Sequence, residues 1–354
     1  MAEIFNRKQD NIMSDNTKQI RCLDLKREIP SWAKVVKEIN TVGIYNMSLV
    51  DNIFSFTKNI PDVVAIDYFG NEITYGELPE HIRQYANGFK AIGVKPGDVV
   101  TMCLAVSTEN ILSLLALDAI GAIANNPNFL FLRHDPKRYI QEKNSKVLVI
   151  LDAYLPFVID DLEECGVEKV IVASLGDYLP KRNKHIFDDY SKFPKALRKI
   201  AMDRERQLHC KLKVAKSRTV KFYRMMDIIS KGAKMSDPLP TGPIDIERDT
   251  SYSYTSGTTT GRPKCIVYKE ASANALIELH VGVDTKDKVG DRVLQVIPYT
   301  HVTGERYCGY LQMANGKTIV PQPIYNKDTF AMDMANFTCD WVIAAPSFFL
   351  AGVK

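Results

Sequence analysis

The sequence predicts an α/β fold in which helices cover a largely parallel sheet. Short apolar runs typical of buried strands alternate along the chain with amphipathic segments of helical period. The chain has 354 residues, of which 45% are hydrophobic and 25% are charged, as in ordinary globular proteins. A chain of this length is expected to form more than one compact unit.

The first αβ subdomain is predicted between residues 45 and 190. Its predicted helices are 51–58, 77–92, 109–120 and 157–165, and its predicted strands are 63–67, 71–74, 99–104, 147–151 and 170–173. Phe69 and Gly70 favour a hairpin between the first two strands. In the second helix, Leu78, Ile82 and Phe89 share one face, and Gly93 ends the helical pattern.

The remaining chain divides into three predicted segments. Residues 1–44 form a polar N-terminal segment, residues 191–243 a basic helical insertion and linker, and residues 244–354 a second αβ subdomain that contains a phosphate loop and is incomplete. The second subdomain is predicted to contain a helix at 270–281 and strands at 292–297, 318–320 and 341–344.

Positive charge is concentrated in residues 192–234. This block has 14 Lys or Arg against Asp203, Glu205 and Asp227, whereas the whole chain has a net charge of only +4. Apolar residues recur there at helical intervals, which indicates a basic amphipathic surface helix: Leu197, Ile200, Ala201, Leu208, Leu212, Val214 and Ala215. A solvated insertion and contact with an anionic membrane surface are both consistent with this pattern. Few aromatic residues accompany the charge, so we expect no nucleic-acid partner.

Neither secretion nor a membrane span is predicted. The start of the chain has no apolar signal region, and the longest apolar run, 111–124, contains Ser113 and Asp118 and is too short to cross a bilayer. Seven scattered cysteines without a C-x-x-C pair favour neither a zinc site nor disulfides. We therefore expect a cytoplasmic protein whose membrane contact, if any, is peripheral.

Residues 249–268 contain the pattern most indicative of function. They read D-T-S-Y-S-Y-T-S-G-T-T-T-G-R-P-K-C-I-V-Y, a loop of glycines and hydroxyl residues between two strand patterns. Glycine permits close backbone approach, successive N–H groups bind anions, and a lysine adds positive charge. An ordinary Thr/Ser/Gly hairpin would have a similar composition. The spacing of Gly257, Gly261 and Lys264 differs from that of a Walker loop.

The string resembles the Y-T-S-G-T-T-G-x-P-K-G phosphate loop of the adenylate-forming (AMP-binding) superfamily, which includes acyl-CoA synthetases. It departs from that motif by one additional Thr and by Cys265 in place of Gly. Four further segments resemble motifs of the superfamily in the same order, and the likeness extends from about residue 45 to the last residue: 73–78, 91–100, 298–304 and 342–347.

This resemblance implies two helix-covered, largely parallel sheets in αβαβα layers, forming a large domain truncated before the C-terminal domain. It implies ATP, Mg²⁺ and CoA as cofactors and a small-molecule carboxylic acid as substrate. Lys264 and His301 are the candidate catalytic residues, with His301 lining the channel between the acid and thiol sites; no protein side chain is predicted to bind a metal. The residues implied to bind the phosphates are Thr255, Ser256, Gly257, Thr258, Thr259, Thr260, Gly261 and Lys264.

Three later motifs of the superfamily are not found before Lys354: the aromatic-Gly-x-T-E motif, the T-G-D motif and the C-terminal lysine. The expectation is therefore the N-terminal part of an ATP-dependent carboxylic acid–CoA ligase that is inactive alone and lacks a C-terminal portion. Residues 170–180 resemble most the fatty-acyl or aryl-CoA ligase branch of the superfamily. Two alternatives stay open: a non-catalytic fragment that binds nucleotide or membrane, and an adenylation domain that loads a carrier protein.

Overall fold

The computed structural model describes most of the chain after its first 45 residues. The described residues are 46–181, 203–257, 262–281, 288–326, 329–346 and 348–349. Three predicted features lie wholly or partly outside them: the polar segment 1–44, residues 191–202 of the basic insertion, and the loop residues Thr258, Thr259, Thr260 and Gly261.

Strands and helices alternate along the described chain. The strands are β1 Val64–Tyr68, β2 Asn71–Thr74, β3 Val99–Cys103, β4 Ile123–Asn125, β5 Val147–Leu151, β6 Lys169–Ala173, β7 Lys221–Arg224, β8 Asp249–Tyr254, β9 Cys265–Lys269, β10 Arg292–Gln295, β11 Thr318–Pro321 and β12 Trp341–Val342. The α-helices are α1 Leu49–Thr57, α2 Leu78–Ala91, α3 Thr108–Ala119, α4 Phe129–His134, α5 Arg204–Lys216, α6 Met225–Ala233, α7 Glu270–Val281, α8 Leu311–Ala314 and α9 Phe330–Asn336. Two π-helical segments, Lys137–Gln141 and Thr303–Tyr310, and a 3₁₀ turn, Leu155–Phe157, complete the set.

The strands form two sheets that are parallel except at one edge of each. The seven-stranded sheet has the order β7-β6-β5-β3-β4-β8-β9, and the five-stranded sheet has the order β12-β10-β11-β1-β2. The antiparallel pairs are β8–β9 and β1–β2. The predicted fold class is therefore confirmed. Each sheet combines strands from both predicted αβ subdomains, so neither sheet corresponds to one continuous segment of the chain.

Alternating side chains of β5 show how the layers are stacked. Val147 and Val149 belong to an inner core that joins residues of both sheets with residues of α2, α3 and α6. Leu148 and Ile150 point the other way, into an outer core that includes residues of α4, the 3₁₀ turn and Cys210 of α5. A third cluster packs Phe330 of α9 against β10 and β11. The layers therefore follow the order αβαβα.

Helix α3 is the most enclosed helix of the inner core, because each of its twelve residues is buried. The hydroxyl of Ser107 caps its first turn by accepting a hydrogen bond from the backbone N–H of Asn110. Near its end, Asp118 lies 3.2 Å from the guanidinium of Arg248, which also lies 2.7 Å from the buried carboxylate of Glu270. This buried ion group joins α3, the segment before β8 and the start of α7.

Two glycines allow α2 and α6 to approach closely. A Cβ atom at Gly232 would lie 2.0 Å from the carbonyl oxygen of Gln84 and 2.5 Å from the backbone nitrogen of Gly88. A Cβ atom at Gly88 would lie 2.7 Å from the carbonyl oxygen of Ile228. Side chains at these positions would force the two helices apart.

The structure differs from two local predictions. The helix predicted at 157–165 is wrong: a 3₁₀ turn, Leu155–Phe157, is followed by consecutive turns. Four carboxylates crowd residues 160–164, and like charges at helical spacing disfavour a helix. The later half of segment 191–243 also contains β7, which pairs with β6, and α6, which packs on α2; these elements belong to the core.

Candidate functional site

The candidate phosphate loop joins β8 to β9 at one edge of the seven-stranded sheet. Strand β8 runs parallel to β3 and β4, so the loop that follows it lies at the carboxyl ends of these strands. In open α/β sheets, ligands bind at the carboxyl ends of the strands. The described loop residues are Thr255, Ser256, Gly257, Arg262, Pro263 and Lys264.

Thr255 and Lys264 close the neck of the loop. The backbone N–H of Thr255 donates to the carbonyl of Lys264 at 3.0 Å, and the backbone N–H of Lys264 donates to the hydroxyl of Thr255 at 2.9 Å. Both residues are exposed, as is Ser256. The neck is therefore fixed while its polar side chains remain accessible.

Gly257 occupies a position that a larger residue would disrupt. Its φ angle is +70°, in the left-handed region that favours glycine. A Cβ atom there would lie 2.8 Å from the nitrogen of Pro263 and 2.9 Å from the carbonyl carbon of Arg262. The two arms of the loop thus pack backbone against backbone. Gly257 therefore keeps the two arms of the loop in close contact. Loops that hold successive backbone N–H groups in such conformations can bind anions.

Residues from other parts of the chain anchor the loop. The hydroxyl of Tyr254 donates to the side-chain oxygen of Asn125 at 2.7 Å, and Arg138 donates to the carbonyl of Pro263 at 2.6 Å. The ring of Tyr139 meets that of Tyr254 edge-on at 4.8 Å. None of these anchors was predicted from the sequence. The sequence feature that could have pointed to Asn125 is the polar pair Asn125-Asn126, which directly follows the apolar run 111–124.

His301 is exposed in the turn that precedes the π-helical segment Thr303–Tyr310. Its Nδ1 accepts a hydrogen bond from the backbone N–H of Thr303 at 3.1 Å. Its carbonyl accepts a second one from the N–H of Glu305 at 3.0 Å. A neutral ring with Nδ1 as acceptor carries its proton on Nε2, so Nε2 is the donor available to a ligand.

The segment after His301 packs directly against the hairpin that carries the loop. Buried Arg306 donates to the hydroxyls of Thr250 and Ser251, both at 3.2 Å, and its guanidinium lies 4.4 Å from the ring centre of Tyr268. Sequence reasoning did not identify this arginine. The loop and His301 are therefore carried by elements in mutual contact.

Glu305 also connects the segment after His301 to the hairpin that carries the loop. Its carboxyl accepts a hydrogen bond from the side chain of Asn126 at 3.3 Å, and the backbone N–H of Asn126 donates to the carbonyl of Tyr252 in β8. Burial raises the pKa of Glu305, although the guanidinium of Arg306 opposes that shift.

Within the described ranges, no three His, Cys, Asp or Glu side chains form a group that would hold a metal ion. Among the described helices, none combines the length and apolar character needed to cross a bilayer. The described part of the loop exposes the hydroxyls of Thr255 and Ser256 and the side chain of Lys264, and groups of these types bind anions.

Solved structures with a similar fold include CoA ligases. A long-chain-fatty-acid-CoA ligase from Archaeoglobus fulgidus aligns with a TM-score of 0.66 and 18% identity, covering 88% of this chain and 54% of that one. MatB from Rhodopseudomonas palustris, in its ligand-free form, aligns with a TM-score of 0.62 and 17% identity, covering 86% of this chain and 50% of that one. At these identities, the likeness shows the fold.

Curated relatives are also ligases. A long-chain-fatty-acid–CoA ligase from Bacillus subtilis is 22% identical over 283 residues, covering 79% of this chain and 45% of the relative. An acetyl-coenzyme A synthetase from Chlorobaculum tepidum is 24% identical over 294 residues, covering 79% and 38% respectively. The chain thus spans less than half the length of these two relatives. The AMP-binding enzyme family matches residues 55–354, and the chain belongs to that family.

Proposed function

We propose that this chain is the N-terminal, phosphate-binding part of an ATP-dependent carboxylic acid–CoA ligase. The observation that carries the proposal is the loop between β8 and β9, whose neck is fixed by Thr255 and Lys264 and whose exposed hydroxyl and lysine side chains lie at the carboxyl ends of the parallel strands. Family membership and relatives named as CoA ligases support the reaction class. The proposed substrate is a small carboxylic acid, and the proposed cofactors are ATP, Mg²⁺ and CoA.

The proposed chemistry joins the acid to the α-phosphate of ATP, releases pyrophosphate, and then transfers the acyl group to the thiol of CoA. Since both reactants of the first step are anions, the loop must neutralise charge and orient the phosphates. Bound Mg²⁺ would supply further charge neutralisation on the phosphate oxygens. We assign the β- and γ-phosphates to the following residues: Thr255, Ser256, Gly257, Thr258, Thr259, Thr260, Gly261 and Lys264.

The contacts at the neck and at His301 support individual roles in this proposal. Thr255 holds the neck by accepting a hydrogen bond, and its own hydroxyl hydrogen remains able to donate to a phosphate oxygen. Lys264 supplies the positive charge. His301, fixed by its bond from Thr303, presents Nε2–H to the acid or the thiol.

Nucleotide affinity tests the loop directly. We expect the chain to bind ATP with Mg²⁺ in a calorimetric titration, and Lys264→Ala to weaken binding about ten- to a hundredfold, the range for one charge-assisted contact. Lys269→Ala, at the opposite end of β9, is the matched control and should bind as the wild type does. No ATP binding by the wild type, or equal losses in both variants, would contradict the assignment.

His301→Ala should leave ATP affinity unchanged, because we place it on the acid and thiol side. We further expect no acid-dependent pyrophosphate release from this chain alone, since it spans less than half the length of two related ligases. A panel of carboxylic acids with ATP and Mg²⁺ tests this expectation, and robust release would show that the chain is active by itself.

A further inference from the structure

Helix α5 exposes two leucines on one side. Leu208 is 60% exposed and Leu212 is 48% exposed. Residues four positions apart lie next to each other on a helix surface, so the two form one aliphatic patch. The sequence pattern predicts an amphipathic surface helix here, and the structure places both leucines on its exposed side.

Contacts on the opposite side fix the rotation of α5. Cys210 is buried in the outer core, and the guanidinium of Arg206 lies 4.8 Å from the ring centre of Phe157. At 100° per residue, Leu208 and Leu212 each lie about 160° from Cys210 around the helix axis. The leucines therefore face solvent because the other face is anchored.

A shared acidic partner reinforces this anchoring. The Nε2 of His209 lies 2.9 Å from a carboxylate oxygen of Asp160, and the Nζ of Lys213 lies 3.1 Å from the same carboxylate. The side chains of His209 and Lys213 therefore extend toward Asp160 on the same protein.

Further basic residues are exposed on α5 and directly after it in the chain. Lys211 and Lys216 are exposed on α5, and Arg218, Lys221 and Arg224 are exposed just after it. Residues 203–224 contain eight Lys or Arg and only two acidic residues. An aliphatic strip flanked by cations matches the two requirements of an anionic lipid surface, namely an apolar boundary below a layer of negative headgroups.

We propose that α5 docks the protein on an anionic phospholipid surface, with Leu208 and Leu212 entering the headgroup boundary and the flanking lysines contacting the headgroups. Helix α5 contains no Phe, Tyr or Trp that would stack on a base, which disfavours a nucleic acid as the occupant. Purely solvated charge does not account for two adjacent exposed leucines on an anchored helix.

The position of α5 is compatible with the proposed nucleotide site. The strand that follows it, β7, forms one edge of the seven-stranded sheet, and the hairpin with the phosphate loop forms the other. Six strand spacings separate the two edges, a distance of roughly 29 Å. Docking through α5 therefore leaves the loop accessible, and the lipid contact can be tested independently of ATP binding.

Vesicle co-sedimentation of the 354-residue chain tests the proposal. We expect binding to phosphatidylcholine vesicles that contain phosphatidylserine, none to pure phosphatidylcholine, and weakening as salt rises. Leu208→Ser/Leu212→Ser and Lys211→Gln/Lys216→Gln should each weaken binding about tenfold or more, because apolar burial and charge both contribute. Met332→Ser, an equally exposed apolar site on α9, is the control and should bind as the wild type does.

Circular dichroism melts of each variant verify that it is folded. Failure of the wild type to sediment with phosphatidylserine vesicles would overturn the proposal. So would a leucine variant that binds as well as the wild type, since the attraction would then be electrostatic only and α5 a solvated helix. Leucine-independent binding to DNA at the same salt concentration would also overturn it, in favour of a general polyanion surface.

Discussion

The buried carboxyl group of Glu109 should make the fold less stable as pH rises. Glu109 lies in the first turn of α3 and is only 1% exposed. Burial raises its pKa from the ordinary 4.5 to about 8, and the negative charge of Asp177 acts in the same direction. The carboxyl group is therefore neutral in the folded protein at neutral pH, although it is ionised in the unfolded chain.

The size of the effect follows from these two pKa values. Between them the folded state keeps a proton that the unfolded state releases, so each pH unit lowers the free energy of unfolding by about 1.4 kcal/mol. Stability from this group is fully present below pH 4.5 and is lost progressively up to pH 8. Raising the pH from 5 to 8 should therefore cost about 3.5 kcal/mol.

Glu109→Gln removes the titration while keeping the side-chain shape. Urea denaturation followed by circular dichroism should show the variant gaining about 3.5 kcal/mol relative to the wild type between pH 5 and pH 8. Glu72→Gln, at an exposed position on β2, should follow the wild-type pH dependence. A difference between Glu109→Gln and the wild type that stays constant over this range would refute the neutral buried carboxyl.

Three further outcomes are expected. Gly232→Ala should lower the free energy of unfolding by about 3 kcal/mol or more, because its Cβ would overlap α2. Gly176→Ala, the control, has open space around its Cβ and should change the free energy little. Equal denaturation curves for the two variants would contradict the close contact between α2 and α6. Arg248→Met should cost about 3–5 kcal/mol in the same assay, since the buried carboxylate of Glu270 would lose its cation. Asp118 adds less, because burial and Glu270 raise its pKa well above the ordinary value. A loss below about 1 kcal/mol would argue against this ion pair. Iodoacetamide should label the partly exposed Cys265, and ATP with Mg²⁺ should slow that labelling, as read by peptide mass spectrometry. Buried Cys103 and Cys308 are internal controls, and unprotected labelling at saturating ATP would place the nucleotide elsewhere.

Elements with a strong local pattern were predictable. The helix predicted at 77–92 is observed as Leu78–Ala91, the helix at 270–281 as Glu270–Val281, and the strand at 147–151 as Val147–Leu151. In each of these elements, the periodicity or the apolar run indicates the type of secondary structure, and a clear end signal indicates where the element stops. Strand pairing was not predictable, because Ile66 lies beside Ile319 and no local signal connects residues so far apart.

The site shows the same division. The glycines and hydroxyl residues located a loop between two strands, which is observed between β8 and β9, because the conformational demands of a loop fall on its own residues; its binding of phosphates stays a prediction. Its anchors, Asn125 and Arg138, come from other segments, and their roles depend on tertiary contacts. Periodicity likewise located the apolar stripe of α5 but gave no information on whether protein or solvent lies against it.

The pairing of β1 with β11 determines when this chain can complete its folding. Ile66 leaves the ribosome about 250 residues before Ile319, a delay of roughly 13 to 50 s at typical synthesis rates of 5–20 residues per second. Through that interval, the β1–β2 hairpin has no parallel neighbour, and an open apolar strand edge favours association with other chains. The earliest strands of the fold are thus among the last to be paired, and we expect the nascent chain to be prone to association until β11 has been synthesised.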